Sequence, residues 1–375
     1  MKRKVLCLLT AAVLVLSLAV SPVVASASSD GSGDYKYGGP NGIEYPDMTL
    51  TVNDYNVMNS GPAQGTQIAC DYITEKSGGK IKFDIYYGGT LIEAVDTFAN
   101  TADGMADISY YMVGLTTGVM EVGALLASLY WREFPEIQGL TEISRLAFER
   151  VPEFQDELNK QGVQCIASST SPGTLMVFRD PKKADTINTP DDLKGMVVQT
   201  GGEAGAIVYQ KHGITPLIMG PADWYQNFER GVVDGLALNL PCFKDFGIKE
   251  LIGSYLLFGD GKYIGSGASL YLANLDKWNS LDEDTQALLK EGFRFGEDFC
   301  VEYDYTTQEE VAEEEYAVKP VHQIPEEEMG PWYDLAMETI DIWKENVTKK
   351  TDYDPEAVFE AYNKIIDEVM ENYKK

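Results

Sequence analysis

Short apolar runs alternate with amphipathic segments in the middle of the chain. Residues 196–200 and 214–219 are apolar and rich in β-branched side chains, which is typical of buried strands. Residues 203–212 and 221–230 are predicted to be helices, and residues 232–234 begin a third apolar run. This order of strand, helix, strand, helix and strand, with short links, predicts an α/β domain with a mostly parallel sheet.

Polar and aromatic side chains stand where these strands end. Gln199 closes the first strand, Trp224 and Tyr225 follow the second, and Asn239 follows the third. Ligands of such sheets bind at the carboxyl ends of the strands. We therefore predict that Gln199 and Asn239 hydrogen-bond a ligand, and that Trp224 and Tyr225 pack against it.

The flanking segments extend the same α/β pattern. Alternating or continuous apolar runs predict strands, and helical spacing of apolar residues predicts helices. We predict strands at 48–53, 81–87, 163–167 and 175–179, and helices at 61–76, 282–316, 325–346 and 354–373, with one helix or a helix pair at 139–161.

Several of these segments match the sequence pattern of a known family. Thr-Pro-Asp-Asp-Leu-Lys-Gly at 189–195 is followed by Gly-Ile-Thr-Pro at 213–216 and by Trp-Tyr-Gln-Asn-Phe-Glu-Arg-Gly-Val-Val-Asp-Gly at 224–235. Ser-Gly-Gly-Lys-Ile at 77–81 and the spacing Asn-x-x-x-Trp-x-x-Leu at 274–281 add to it. Together they resemble the TRAP transporter solute-binding proteins (the DctP-like family), over nearly all of the mature chain.

The resemblance implies a two-lobe, periplasmic-binding-protein-like fold, with a ligand cleft between the lobes and long C-terminal helices. It also implies a binding protein without a cofactor, which delivers a small solute to a TRAP-type permease driven by an ion gradient. We expect an exported monomer, in the periplasm or at the outer face of the cytoplasmic membrane. An organic acid is the solute expected first. The alternatives are a neutral polyol or sugar, an ABC-type transporter as partner, a sensory role, or an enzyme acting on a small molecule.

Composition and resemblance together divide the chain. Residues 1–27 have the positive start, apolar run and Ala-x-Ala site of a signal peptide, with an uncleaved anchor as the alternative. Residues 28–45, rich in Ser, Gly and Asp, are predicted to be a flexible linker. We assign the rest as lobe I (46–165), lobe II (166–258), a return to lobe I with the long helix (259–315), and helices packing across both lobes (316–375).

One position departs from the family pattern. Members that bind carboxylates usually carry an arginine where this chain has Gln199, and a glutamine offers no charge to a carboxylate. Arg179, just after a strand, is then the candidate anion contact, with a surface ion pair as the alternative. From the first lobe, Trp131 is predicted to pack on the ligand or in the core, and Glu93 and Asn53 complete the candidate set.

Charge and motifs exclude several classes of function. The formal net charge of −29 leaves no basic patch for nucleic acid and no attraction to an anionic membrane. The sequence lacks G-x-S-x-G, H-E-x-x-H, P-loop and Rossmann patterns, and its two histidines and scattered cysteines predict no metal site. The four cysteines after the signal segment allow either disulfides or free thiols: Cys70, Cys165, Cys242 and Cys300.

Overall fold

The computed structural model describes residues 37–261 and 263–373. The predicted signal peptide, residues 1–27, lies outside this part of the chain. The described residues form two mixed β-sheets with helices packed around them, which confirms the predicted α/β class. We call the two sheets, with their helices, lobe I and lobe II.

The strands are β1 (Met48–Asp54), β2 (Ile81–Tyr87), β3 (Ile108–Met112), β4 (Val163–Thr170), β5 (Leu175–Phe178), β6 (Val197–Gln199), β7 (Thr215–Leu217), β8 (Gly235–Leu238), β9 (Ser254–Phe258), β10 (Ala268–Asn274) and β11 (Val321–Ile324). The helices are α1 (Gly61–Lys76), α2 (Thr97–Ala102), α3 (Ile137–Arg150), α4 (Pro152–Lys160), α5 (Glu203–Lys211), α6 (Pro221–Arg230), α7 (Leu240–Asp245), α8 (Leu275–Asn279), α9 (Glu283–Tyr316), α10 (Gly330–Lys350) and α11 (Pro355–Tyr373).

The sheet of lobe I has the strand order β2-β1-β3-β10-β4. Strand β1 is parallel to both of its neighbours, whereas β10 is antiparallel to β3 and β4. The sheet of lobe II has the order β11-β9-β5-β8-β6-β7. Strand β6 is parallel to β7 and β8, as the sequence predicts, but β5 is antiparallel to β8 and β9.

Short-range signals set the helix ends of lobe II. The Asp192 carboxylate accepts a hydrogen bond from the Thr189 amide at 2.9 Å and closes a capping box around the predicted turn. Pro221 opens α6, and Gly231 ends it in the left-handed conformation at φ 72°. The third strand begins at Gly235 and not at the predicted residue 232, because Val232 is exposed and lies outside the ladder.

Two long helices join the lobes. In α9, Phe293 lies in a core cluster of lobe I and Val311 in a core cluster of lobe II. In α10, Trp332 packs into lobe II and Trp343 into lobe I. The buried apolar residues of α11, such as Ile366, belong to the core cluster of lobe I.

Two of the predicted segment boundaries need correction. Residues 37–45, assigned to a flexible linker, are packed on the protein: the amides of Tyr37 and Gly39 donate to Glu75 of α1 at 2.7 and 3.1 Å, and Tyr45 is buried. The boundary predicted at 165/166 falls inside β4. Since β4 stays in the lobe I sheet as far as Thr170, the chain passes to lobe II only after that residue.

Cysteines and hydropathy complete the description of the fold. Cys70, Cys165, Cys242 and Cys300 are all free thiols, so the disulfide alternative is not realised among these four. Within the described ranges, no helix combines the length and the apolar run that crossing a membrane requires.

Candidate functional site

A cavity of about 100 Å³ lies where the two lobes meet. Its walls come from the loop after β3 in lobe I, from the ends of β6 and β8 in lobe II, and from segments that pass between the lobes. Beside it, the amide of Gly202 in lobe II donates to the carbonyl of Gly114 in lobe I at 3.0 Å. The lobes are thus in contact around a space suited to a small molecule.

Gln199 lies in this cavity, as the sequence predicts, at the carboxyl end of β6. Its side-chain carbonyl accepts a hydrogen bond from the Ala237 amide of β8 at 3.2 Å, which fixes the orientation of the amide group. The Nε2 atom makes no hydrogen bond with the described residues and is left to donate to a ligand. Gln199 therefore supplies an uncharged N–H donor in a fixed orientation.

Asn239 and Trp224 also line the cavity. Asn239 is the N-cap of α7: its Oδ1 accepts from the Cys242 amide at 2.9 Å, and its side chain also hydrogen-bonds the Cys242 thiol. The Trp224 indole donates to the Met219 carbonyl at 3.1 Å. Its ring packs edge-to-face with Phe246, with 5.1 Å between the ring centroids. Trp224 is thus a rigid apolar wall whose polar atom is already used.

Three other candidates lie near the cleft but do not line the cavity. Tyr225 is half-buried and packs in the lobe II core on the helix that carries Trp224. Asn53 is fully buried at the end of β1, where its Oδ1 accepts from the Ile92 amide at 3.1 Å. Glu93 follows Ile92 and is exposed. The Nδ2 atom of Asn53 is buried without a hydrogen-bond partner among the described residues.

The sequence family of the chain is defined by a match over most of its length. The family model of the bacterial extracellular solute-binding proteins, family 7 (DctP), matches residues 60–346. The chain belongs to this family. The resemblance seen in the sequence motifs is therefore confirmed, and the family is one of binding proteins and not of enzymes.

Solved structures show the same fold for this family 7 protein. A TRAP solute-binding protein from Rhodoferax ferrireducens, in complex with copurified benzoate, is 17% identical with a TM-score of 0.73, over 86% of this chain and 99% of its own. A marine metagenome protein specific for aromatic acids is 14% identical with a TM-score of 0.74, over 88% and 100%. A Roseobacter denitrificans protein with bound β-D-glucuronate is 19% identical with a TM-score of 0.69, over 84% and 99%.

Two residues of this family 7 protein that were predicted to contact the ligand, Arg179 and Trp131, do not line the cavity. Arg179 is exposed and stands beside Phe228, with its guanidinium carbon 5.9 Å from the ring centroid. Because β5 is antiparallel to β8, Leu175 pairs with Leu238 near the cavity, whereas Phe178 and Arg179 lie at the opposite end. Trp131 is also not a cavity residue: it packs against α11, 5.4 Å from Phe359 between ring centroids.

Several uncharged polar groups of the cavity were missed by the sequence analysis. Tyr209 of α5 lines the cavity, and its hydroxyl makes no hydrogen bond with the described residues. Burial raises the pKa of Tyr209 to about 12, so the phenol stays neutral and can donate. Ser128, Thr174, Thr200 and Ser266 bring further hydroxyls. Apart from Thr200, which follows Gln199 at the end of β6, no local pattern marks these residues, since only the meeting of the two lobes places them together.

The cavity has no charged side chain among its described lining residues. Carboxyl groups lie behind one wall: burial, and then the charges of Asp304 and Asp245, raise the pKa of the cavity residue Cys242 well above its ordinary value. Burial likewise raises the pKa of Asp304 itself. An anionic ligand would therefore have to be held by neutral donors alone.

Replacing Arg179 with alanine is expected to leave solute affinity unchanged within about twofold, because substitutions remote from a site have small, independent effects. Isothermal titration with the compound selected by the screen below measures it. A tenfold loss of affinity would contradict the placement of Arg179 outside the site.

Proposed function

We propose that this protein captures a small polar solute, with organic acids as the first class, and delivers it to a TRAP-type permease. It would act as a monomer in the periplasm or at the outer face of the cytoplasmic membrane. The observation that carries the proposal is the cavity enclosed between the lobes, with donors from β6 and α5 directed at one small space. Capture then follows from a higher affinity of the solute for the closed arrangement of the lobes.

The organic-acid class is supported by family membership and by the ligands of the similar structures, benzoate and β-D-glucuronate. In this cavity a carboxylate would be held by the amide of Gln199, the phenol of Tyr209 and nearby hydroxyls. Met112, Leu115 and Trp224 supply apolar wall for the rest of the molecule. This arrangement favours a solute with one small polar end and an apolar body.

A neutral polyol or sugar is the second candidate, and one specific observation favours it. The described lining of the cavity has no cation, and Gln199 stands where the resemblance to carboxylate-binding members leads one to expect an arginine. Removing a carboxylate from water without a paired charge is costly, whereas hydroxyl groups need only hydrogen bonds. The two candidates thus differ in ligand charge and not in the site used.

A thermal-shift screen of the chain from Ser28 onward separates them. The panel holds organic acids, including benzoate and glucuronate, and neutral polyols and sugars of matched size. A ligand at about 100 times its Kd adds about 2.7 kcal/mol of stability, which raises the melting temperature measurably. We expect the largest shift from a monocarboxylate.

The replacement Gln199→Glu should abolish that shift, and Gln323→Glu, an isosteric change at the exposed position of β11, serves as its control. A shift with neutral compounds alone would move the assignment to polyols or sugars. A protein that responds to no member of the panel, and that carries no small molecule detectable by mass spectrometry after purification, would contradict the proposed capture.

A further inference from the structure

The last residue of α10, Lys350, contacts both lobes at once. Its ammonium lies 2.9 Å from a carboxylate oxygen of Glu121, which follows β3 in lobe I. It lies 2.9 Å from a carboxylate oxygen of Glu203, the first residue of α5 in lobe II. The side chain of Glu121 is only 12% exposed, whereas that of Lys350 is 38% exposed. One cation therefore joins two carboxylates that belong to different halves of the cleft.

The same place holds the direct backbone contact between the lobes. Gly202, which donates to Gly114 across the cleft, immediately precedes Glu203. Gly114 and Gly201 both line the cavity. A movement of the start of α5 away from lobe I would therefore separate both Gly202 from Gly114 and Glu203 from Lys350.

The end of α10, which carries Lys350, is tied to lobe I. The Trp343 indole of α10 donates to the backbone carbonyl of Glu121 at 2.8 Å. The end of α10 also packs into the core of lobe I through Val347.

The same helix is tied to lobe II, because Glu338 of α10 accepts a hydrogen bond from Lys211 of α5 at 3.1 Å. Lys350 is the residue of α10 whose charge joins Glu121 and Glu203 at this rim. Opening of the lobes would therefore break at least one of its two ion pairs.

The charges of these three residues favour the closed arrangement of the lobes. Glu121 and Glu203 would approach each other as like charges on closure, on a protein whose formal net charge is −29. An ammonium between them converts that repulsion into attraction. Burial alone would lower the pKa of Lys350, but its hydrogen bonds to Glu203 and Glu121 raise it, so the group stays charged.

We propose that Lys350 is a positioning residue that holds the solute cleft closed by pairing with Glu121 of lobe I and Glu203 of lobe II at once. This inference rests on the proposed capture of a solute between the lobes. It assigns a role in closure to a residue that lies outside the cavity and touches no solute.

Amide hydrogen exchange tests the proposal without a solute, since the Gly202 amide reports directly on the closed contact. In Lys350→Met, which keeps most of the aliphatic stem, we expect the segment containing Gly202 to exchange about fivefold faster, as loss of an ion pair of ordinary strength predicts. Glu203→Gln should give a similar acceleration, and the double variant should exceed neither single variant by more than about twofold.

Lys349→Met is the matched control. Lys349 is the preceding residue and pairs with Glu345 of its own helix at 2.9 Å, without bridging the lobes. It should leave Gly202 exchange unchanged. Unchanged exchange at Gly202 in Lys350→Met would overturn the proposal. Equal acceleration at Gly202 and in the buried strand β4 would also overturn it, because that result indicates general destabilisation of the protein. Failure to find a solute in the screen would instead count against the proposed function and would not alter these exchange rates.

Discussion

Gly296→Ala is expected to destabilise lobe I by about 2 kcal/mol, and Gly296→Val by more. Overpacking a close contact costs about 1–3 kcal/mol, and the gain in helix propensity from glycine to alanine, about 1 kcal/mol, offsets only part of it. A Cβ on Gly296 would lie 2.9 Å from the Cβ of Ala69 in α1 and closer still to the carbonyl of Gly65. A Cβ on Gly65 would in turn lie 2.6 Å from the carbonyl of Gly296.

The reason for this sensitivity is a helix crossing built from small residues. Gly65 of α1 and Gly296 of α9 face each other, so the two backbones approach closely there, whereas Gly61 and Gly292 make room for side chains of the opposite helix. The obstructing atoms at Gly65 and Gly296 include backbone carbonyls, which cannot rotate away as a side chain can. A whole helix must therefore shift to make room for an added methyl group.

Urea unfolding of Gly296→Ala, Gly296→Val and a control measures the effect. Gly330→Ala is the control, because a Cβ there meets nothing within 4 Å and the backbone is not in the left-handed region. The control should unfold at the midpoint of the unsubstituted protein or slightly above it. A Gly296→Ala protein as stable as the control would contradict the close crossing.

Gln199→Glu is expected to weaken solute binding by about 100-fold or more while leaving the fold intact. The substitution is isosteric and keeps an oxygen to accept from the Ala237 amide, so the existing hydrogen bond at 3.2 Å survives. It replaces the free Nε2 donor with an acceptor and places a charge in a cavity without a cation. Loss of a donor to a buried ligand group leaves that group unpaired, which costs a factor of this size.

The pH dependence of this variant provides a second readout. Burial in an uncharged cavity raises the pKa of the introduced carboxyl group. The group is therefore ionised, and most harmful, at high pH, and it becomes a neutral donor as the pH falls through its raised pKa. Affinity of Gln199→Glu for the compound selected by the screen should recover in part from pH 8 to about pH 5, measured by isothermal titration.

Gln323→Glu should bind like the unsubstituted protein at every pH in this series. Gln323 lies on β11 of lobe II, and its amide donates to the Gly259 carbonyl at 2.9 Å, away from the cavity. Equal affinity of Gln199→Glu and Gln323→Glu would remove Gln199 from the site and leave the cavity without its best-oriented donor.

The α/β class and most elements of lobe II are readable in the sequence. The capping residues Thr189 and Asp192, the proline that opens α6 and the glycine that ends it act within a few positions of themselves. Local chemistry of this kind needs no knowledge of the rest of the chain. The position of Gln199 beside the cavity was predictable for the same reason, since it ends a strand whose carboxyl end faces the cleft.

The positions of Arg179 and Trp131 outside the cavity depend on strand direction and on packing between distant parts of the chain. Arg179 follows a strand, as Gln199 does, but β5 is antiparallel to β8, so the same position in the pattern lies at the opposite edge of the sheet. Trp131 contacts Phe359, more than 200 residues away in the chain, and an aromatic residue after an apolar run looks the same whether it faces a ligand or a helix.

The amino-acid sequence by itself determined the strand and helix pattern, the family, and an uncharged residue at position 199, because each of these is carried by neighbouring residues. The tertiary structure decided which polar groups share one cavity. Tyr209 in lobe II and Ser128 in lobe I meet there only because the lobes close on each other. It also decided that Lys350 joins Glu121 and Glu203, since contacts between residues far apart in the chain are created by packing and not by local spacing.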